Sequence, residues 1–268
     1  LFIVMRTYFE KPRTTIWWKW LINDPHLDWT YNIEEWLKKA RKLLLEINKI
    51  WLPVSTEFLD PISPQYIWDL ITWWAIWART TESQIHRELA SWLSATIWFK
   101  NWTDWSIQIA NDAILSTSQP HNFLWMTKNW EVSAIQTKWN KNTHIILRWW
   151  KNLPNYDSEN IEKTNNIIEQ SWIKTWIMID VSHANSNKNH HNQPLVSQDI
   201  ANQIKFWNKN IIGIMIESNI NESNQTFNAW YDNPSELKYW VSITDECVSF
   251  ETTDKMLQTL NNAVWKRI

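Results

Sequence analysis

Seven short apolar runs of this 268-residue chain, each typical of a β-strand, close with a charged or imidazole side chain. The closing residues are Arg6, Glu57, Arg79, Lys100, Arg148, His183 and Glu217. If the runs are parallel strands of a barrel, these side chains meet on one face, where barrel active sites are built. A charge at a single strand end carries little information, because many strands end at solvent. Seven such ends in one chain indicate a functional face.

Cations dominate this expected face. They are Arg6, Lys11, Arg13, Arg79, Lys100 and Arg148. Like charges placed close together repel unless an anion neutralises them. Arginine suits bidentate recognition of phosphate and carboxylate, and lysine acts as a point charge. Because the whole chain has a formal net charge of −2, the pattern predicts a small polyanionic ligand with two phosphates, or with a phosphate and a carboxylate.

A second set of residues suggests a metal. His183, Glu217 and Asp245 follow the last predicted strands, and an imidazole with two carboxylates suits a divalent ion such as Mn, Fe, Co or Zn. Each residue alone is more often a hydrogen-bonded structural residue than a metal ligand. His190 and His191 stand in an asparagine-rich segment, which predicts a solvated loop. The chain has no phosphate-binding glycine loop, no dinucleotide fingerprint and no cysteine cluster.

The elements that must position these residues alternate along the chain. Residues 32–50 and 158–170 have the apolar spacing of helices, whereas residues 2–4, 177–183 and 211–218 are typical of strands. Such alternation predicts an α/β fold with a parallel sheet.

The number of strands and the length of the chain favour a (β/α)8 barrel over an open sheet. We expect residues 1–268 to form one catalytic domain that begins at the second strand of the barrel, with the first strand lost before Leu1. Residues 123–127 and 132–137 predict a small inserted β-hairpin.

Composition excludes several classes of protein. The sequence pI of about 6.4 offers no basic field for nucleic acid. One cysteine, Cys247, rules out an internal disulfide framework and favours a reducing compartment, so a cytoplasmic location is expected. No apolar run reaches the roughly 18 residues of a membrane helix, and no signal peptide is visible. We therefore expect neither a nucleic acid nor a membrane as a partner.

The chain has 25 tryptophans and one glycine. Ordinary usage predicts roughly 19 glycines at this length, and turns need residues that tolerate positive φ. We interpret most tryptophan letters as glycines, from a gene whose UGA codons specify glycine. Several of them flank the cations, where an indole would fill the pocket and a glycine would open it: Trp77, Trp98, Trp102, Trp105, Trp149 and Trp150. The alternative is a genuine aromatic site.

Seven motifs together resemble one enzyme family. They are MRTYFEKPRTT at 5–15, LINDPH at 21–26, ARTTESQ at 78–84, FKN at 99–101, HIILR at 144–148, DVSHANS at 180–186 and SITD at 242–245. Across essentially the whole chain, the sequence is similar to type I 3-deoxy-D-arabino-heptulosonate 7-phosphate (DAHP) synthases, which are phospho-2-dehydro-3-deoxyheptonate aldolases of the (β/α)8 class. The family has tryptophan at the positions of Trp18 and Trp73. It has glycine where this chain has Trp17, Trp20, Trp74, Trp77, Trp92, Trp98, Trp102, Trp105, Trp149, Trp150 and Trp240.

The resemblance implies a role for each candidate residue. Phosphoenolpyruvate would be held by Arg6, Ala78, Arg79, Lys100 and Arg148, and erythrose 4-phosphate by Lys11, Pro12, Arg13 and Thr14. The divalent metal would bind His183, Glu217 and Asp245, and the catalytic residues would be Lys11, Lys100, His183 and Glu57. In the family a cysteine of a Gly-Pro-Cys-Ser segment is the fourth metal ligand. That segment is absent here, and Cys247 matches a different position.

The implied reaction condenses phosphoenolpyruvate with D-erythrose 4-phosphate and water to give DAHP and phosphate, the first step of the shikimate pathway. A homo-oligomer, dimer or tetramer, is expected for the full-length form. Two alternatives stay open from the sequence. One is an inactive truncated barrel that only binds sugar phosphates or partners. The other is a relative that joins phosphoenolpyruvate to a different sugar.

Overall fold

This computed structural model describes residues 1–10, 23–77, 80–100, 107–149, 153–171, 173–206, 208–228 and 231–267. They form two compact units. The N-terminal unit comprises Phe2–Trp102 and Ile109–Thr143, and the C-terminal unit comprises Leu1, Thr103–Gln108 and His144–Ile268. Six of the predicted site residues lie outside the described residues: Lys11, Pro12, Arg13, Thr14, Ala78 and Arg79.

The N-terminal unit contains four parallel strands with helices between them. In chain order they are β1 (Met5–Arg6), α1 (Ile33–Lys49), β2 (Val54–Glu57), α2 (Pro64–Ile67), β3 (Trp73–Ile76), α3 (Gln84–Trp92) and β4 (Thr96–Lys100), followed by α4 (Ile107–Thr117). The strands pair in the order β1-β2-β3-β4. Helix α1 begins at Asn32, whose side chain accepts the Glu35 N–H, and it buries Trp36, Ala40 and Leu44. The helix predicted over residues 32–50 is confirmed.

A two-stranded antiparallel hairpin joins this unit, as predicted. It consists of β5 (Asn122–Met126) and β6 (Val132–Gln136), with Phe123 opposite Ile135. The Glu131 carbonyl accepts the Thr127 N–H at 2.9 Å, and the Thr127 carbonyl accepts the Trp130 N–H at 3.0 Å. These bonds close a short loop between the strands.

The C-terminal unit repeats the alternation of strands and helices. Its elements are β7 (Thr143–Leu147), α5 (Ser158–Gln170), β8 (Ile177–Asp180), α6 (Gln193–Lys205), β9 (Ile211–Met215) and α7 (Phe250–Arg267), with β8 paired in parallel to both β7 and β9. The Asp157 side chain accepts the Asn160 N–H at the start of α5, which is the helix predicted over residues 158–170. The parallel strands and intervening helices confirm the predicted α/β class.

Three strand predictions need correction. The apolar run 2–4 is not a strand: Leu1, Phe2 and Ile3 are exposed, and pairing begins at Met5. The strands predicted over residues 177–183 and 211–218 end at Asp180 and Met215. In both cases the chain leaves the sheet before the candidate ligand. A strand ends where its ladder of hydrogen bonds ends, which apolar composition alone does not specify.

Four tryptophans adopt a backbone conformation that favours glycine. Ten described residues other than glycine have positive φ, and the tryptophans among them are Trp29, Trp51, Trp130 and Trp240, with φ between 53° and 65°. Trp51 follows the end of α1 and is 93% exposed, at the position where helices commonly end in glycine. Trp130 stands at the end of the hairpin loop, where the third loop residue is commonly a glycine in this conformation. The backbone supports the interpretation of these letters as glycine.

None of the described helices has the length and apolar character needed to cross a membrane.

Candidate metal centre and substrate cations

His183 is fixed by the residues that follow strand β8. The strand ends at Asp180, which is fully buried, and His183 comes three residues later. The Nδ1 atom of His183 lies 2.7 Å from Ser182 Oγ and 3.0 Å from Asp180 Oδ2. A carboxylate beside Nδ1 favours the tautomer that donates from Nδ1, and this tautomer leaves the lone pair of Nε2 available to a metal. The φ of His183 is 54°, a strained value of the kind often found at functional sites.

Two carboxylates face the other nitrogen of this ring. His183 Nε2 lies 3.5 Å from Glu217 Oε1 and 3.9 Å from Asp245 Oδ2. Atoms that share one divalent ion at bond lengths of about 2.1 Å are themselves roughly 3–3.5 Å apart. The His183 and Glu217 side chains are only 10% and 14% exposed, whereas Asp245 is 72% exposed. The structure therefore brings the three predicted ligands together, and their donor set fits a divalent transition metal.

The backbone of Glu217 is held by a residue that the sequence analysis did not single out. Gln193, the first residue of α6, is fully buried. Its Nε2 donates to the Glu217 carbonyl at 3.1 Å, and its Oε1 accepts the Glu217 N–H at 3.0 Å. Asp180 was missed as well, although its place at the end of a buried strand, three residues before His183, was visible in the DVSH motif. A buried amide one helix away has no comparable signal in the sequence.

The strand predicted to precede Asp245 is wrong. Asp245 was expected to follow a strand, but the described segment around it forms isolated bridges instead: Ser218 to Val248, Ser223 to Cys247 and Asn224 to Ser242. The aspartate reaches the centre from an irregular segment. Its greater exposure is consistent with this placement.

His190 also departs from its prediction. It was expected to be solvated, but it is 7% exposed and begins a short 3-10 turn, His190–Asn192, whereas His191 is exposed. Its Nδ1 lies 2.8 Å from Glu246 Oε2, and its backbone N–H donates to the same oxygen at 3.3 Å. The hydrogen bonds from His190 hold the pKa of the Glu246 carboxyl below its usual range.

Two predicted substrate cations in the N-terminal unit pack against one indole. Lys100, at the end of β4, is 1% exposed, and its Nζ lies 3.7 Å from the ring centroid of Trp77. The guanidinium carbon of Arg6 lies over the same ring at 5.4 Å and over Tyr8 at 4.8 Å. Glu57 ends β2, opposite Ala75 of β3. The buried indole of Trp77 thus lies against both positive charges.

Arg148 repeats this pattern in the C-terminal unit. It directly follows β7, and its guanidinium carbon lies 4.2 Å from the ring centroid of Trp149. Trp77 and Trp149 are both positions at which the resemblance expects glycine. Each described cation assigned to phosphoenolpyruvate therefore packs on an indole at one of these two positions.

Within the described residues, parallel strands are followed by helices. His183 and Glu217 follow β8 and β9, and the cations stand at or just after the ends of three other strands: Arg6 at β1, Lys100 at β4 and Arg148 after β7. This combination is typical of a class: metal-dependent α/β enzymes that act on phosphorylated substrates. The family model described as the DAHP synthetase I family matches residues 1–258. This chain belongs to that family.

The chain is similar to several relatives named for one enzyme. It is 48% identical to the Tyr-sensitive phospho-2-dehydro-3-deoxyheptonate aldolase of Escherichia coli (strain K12) over 273 residues, covering all of this chain and 75% of the relative. It is also 48% identical to the tyrosine-inhibited enzyme of Schizosaccharomyces pombe, covering all of this chain and 72% of that protein.

A solved structure agrees with these relatives. The phospho-2-dehydro-3-deoxyheptonate aldolase of Francisella tularensis SCHU S4 matches with a TM-score of 0.93 and 50% identity, over 99% of this chain and 76% of the other. This likeness, together with the seven parallel strands found within the described residues, confirms the predicted fold class and is consistent with a partial (β/α)8 barrel.

Proposed function

We propose that this chain condenses phosphoenolpyruvate with D-erythrose 4-phosphate and water to give DAHP and phosphate, the first step of the shikimate pathway. The observation that carries the proposal is the convergence of His183, Glu217 and Asp245 in a chain whose relatives are named for this enzyme at 48% identity. We infer further that residues 1–268 act as one catalytic domain of a cytoplasmic homo-oligomer.

The metal ligands would be His183, Glu217 and Asp245, and the ion would be Mn, Fe, Co or Zn. When bound, such an ion supplies a Lewis acid for the aldehyde of the sugar phosphate. The chain's own contribution begins with the imidazole of His183, which Asp180 and Ser182 hold in one tautomer. A fixed tautomer presents the same nitrogen to the centre at each turnover, so no reorganisation is needed during the reaction.

The cations would hold the two anionic substrates. Arg6, Ala78, Arg79, Lys100 and Arg148 are assigned to phosphoenolpyruvate, and Lys11, Pro12, Arg13 and Thr14 to erythrose 4-phosphate. Two phosphorylated substrates repel each other in water, and fixed cations remove that repulsion while holding the reacting carbons close together. Burial strengthens this effect, because Lys100 at 1% exposure is only weakly screened by solvent. Glu57 would support the site as a carboxylate.

Glycine at positions 77 and 149 belongs to the same proposal. The indole of Trp77 covers Lys100 and Arg6, and that of Trp149 covers Arg148. Removing these side chains would expose the cations to an anion without moving the strands that carry them. We expect the natural protein to carry glycine at both positions.

The deciding experiment uses the complete gene product with glycine at the tryptophan positions that resemble family glycines. Phosphate release and DAHP formation are followed with both substrates and added Mn²⁺. We expect turnover that a chelator abolishes. We also expect His183→Ala to abolish it at any Mn²⁺ concentration, and the exposed-residue control His191→Ala to retain it.

Full activity of His183→Ala in added Mn²⁺ would refute the metal assignment. The competing possibility is an inactive barrel that only binds its ligands. Phosphoenolpyruvate binding without turnover in the metal-loaded protein would establish that alternative in place of the enzyme.

A further inference from the structure

The turn before α6 contacts the segments that carry both carboxylate ligands. It begins at His190 and ends at Gln193, seven to ten residues after His183. Gln193 holds the backbone of Glu217 through two hydrogen bonds, at 3.1 and 3.0 Å. His190 holds Glu246, the residue next to Asp245, through its ring at 2.8 Å and its backbone N–H at 3.3 Å. Residues 190–193 are therefore hydrogen-bonded both to Glu217 and to the neighbour of Asp245.

Asp245 needs such support more than the other ligands do. His183 lies three residues after strand β8 and its ring contacts Asp180, the last residue of that strand, and Glu217 lies two residues after strand β9. Asp245 lies in an irregular segment, and its side chain is 72% exposed. An exposed aspartate on irregular backbone samples many positions. The conformational entropy that is lost when the ion fixes one of them lowers the metal affinity. The bonds from His190 to the adjacent residue restrict that freedom.

The turn itself is firmly placed. His190 is 7% exposed and Gln193 is fully buried. The Asn192 side chain donates to the Ser186 carbonyl at 3.0 Å, which ties the turn back to the loop that follows His183. The turn is therefore hydrogen-bonded both to the loop that follows His183 and, through His190, to Glu246 beside Asp245.

We propose that His190 is a positioning residue, which holds Asp245 at the metal centre through its bonds to Glu246. The proposal rests on the proposed function, since it takes His183, Glu217 and Asp245 as the metal ligands. Residues that orient metal ligands from behind typically contribute 10–100-fold in metal affinity. His190 acts on the ion only through the backbone between Glu246 and Asp245.

A direct metal site is the competing explanation. His190, His191 and Glu222 each offer one ligand atom, and these atoms lie within 4.8 Å of one another. However, His190 Nδ1 is already bonded to Glu246 at 2.8 Å, and His191 and Glu222 are exposed. These observations favour the positioning role.

The test measures Mn²⁺ affinity and stoichiometry, together with the visible spectrum of bound Co²⁺, on the complete gene product with the same glycine positions. We expect His190→Phe and Glu246→Ala each to weaken Mn²⁺ binding 10–100-fold and to shift the Co²⁺ bands. The double variant should bind no more weakly than either single variant, because both remove the same interaction. Glu246→Gln keeps the acceptor oxygen and should stay within about threefold of wild type.

His191→Ala is the matched control, and it should leave both measurements unchanged. Unaltered affinity and spectrum in Glu246→Ala would overturn the positioning role. So would two Mn²⁺ ions per chain with equal losses in His190→Phe and His191→Ala, which would establish the direct site. Should His190→Phe fail to fold, Glu246→Ala decides alone, since that side chain is 37% exposed. A separate arm tests the centre itself, because intact Mn²⁺ binding in His183→Ala would refute the ligand set of the proposed function and leave the role of His190 without a centre to support.

Discussion

Replacing Trp51 by glycine and by alanine should reverse the usual stability order of these two residues. Trp51 has φ of 61°. An L-residue in the left-handed region costs about 1–2 kcal/mol, and glycine avoids that cost. Glycine also lowers the free energy of unfolding by about 0.4–1 kcal/mol, because it increases the conformational entropy of the unfolded chain. We therefore expect Trp51→Gly to be more stable than Trp51→Ala by about 0.5–1 kcal/mol. Burial cancels in this comparison, because both variants remove a side chain that is 93% exposed.

Trp265 provides the matched control. It is an exposed tryptophan in the last turn of helix α7, at 69% exposure. Glycine is less favourable than alanine by about 0.8–1.0 kcal/mol in a helix interior, and by a smaller amount near the end of a helix. Trp265→Gly should therefore be less stable than Trp265→Ala. Both positions are exposed but they differ in backbone conformation, so the sign of the glycine–alanine difference reports on φ.

Urea unfolding followed by far-UV circular dichroism measures all four variants, and the midpoints are compared at constant m-value. Summed over the two positions, the predicted separation is between about 0.5 and 2 kcal/mol, because the helix contribution is smaller in the last turn than in the interior. Equal midpoints for Trp51→Gly and Trp51→Ala would show that the backbone after α1 does not need positive φ. Position 51 would then have no preference for glycine.

Three further predictions concern the ligand, pH and the gene. In the glycine-restored protein, Arg148→Ala should weaken phosphoenolpyruvate binding about 10–100-fold and leave erythrose 4-phosphate nearly unaffected; calorimetric titration that finds equal losses for both would refute the assignment. Burial raises the pKa of Glu10 from 4.5 to about 7, so the folded state binds this proton more tightly than the unfolded chain does. Protonated Glu10 therefore contributes its full share to the free energy of unfolding below pH 4.5, and that share is lost as pH rises through 7. Glu10→Gln should remove that loss when unfolding is measured across this range, and an unchanged pH profile would contradict it. Tandem mass spectrometry of the tryptic peptide 88–100 from the natural source should identify glycine at positions 92 and 98, and tryptophan there would mean that the cation-lined site is obstructed as written.

Local features of the fold could be predicted closely. Helix α5 spans residues 158–170 in both the prediction and the structure, and α1 differs from its prediction by one residue at each end. Apolar spacing and a capping side chain are encoded within one turn of chain, so these elements follow from neighbouring residues. The hairpin was predicted for the same reason.

The ends of the strands and the burial of single residues could not be predicted in this way. Strand β8 ends three residues before His183, and His190 is buried although its neighbours in the chain are polar. Both facts depend on partners far away in sequence, such as Glu246, which lies 56 positions beyond His190. Composition near a residue does not specify such a partner.

The candidate groups of the site could be listed from the sequence: an imidazole with two carboxylates expected to bind a metal, cations expected to bind phosphorylated substrates, and an excess of tryptophan that points to glycine. Their types follow from the required chemistry and are visible without coordinates. How these groups are held became visible in the folded chain. The tertiary structure placed Asp180 behind His183, Gln193 on the backbone of Glu217 and an indole over Lys100, because these contacts join residues that meet only after the strands have paired.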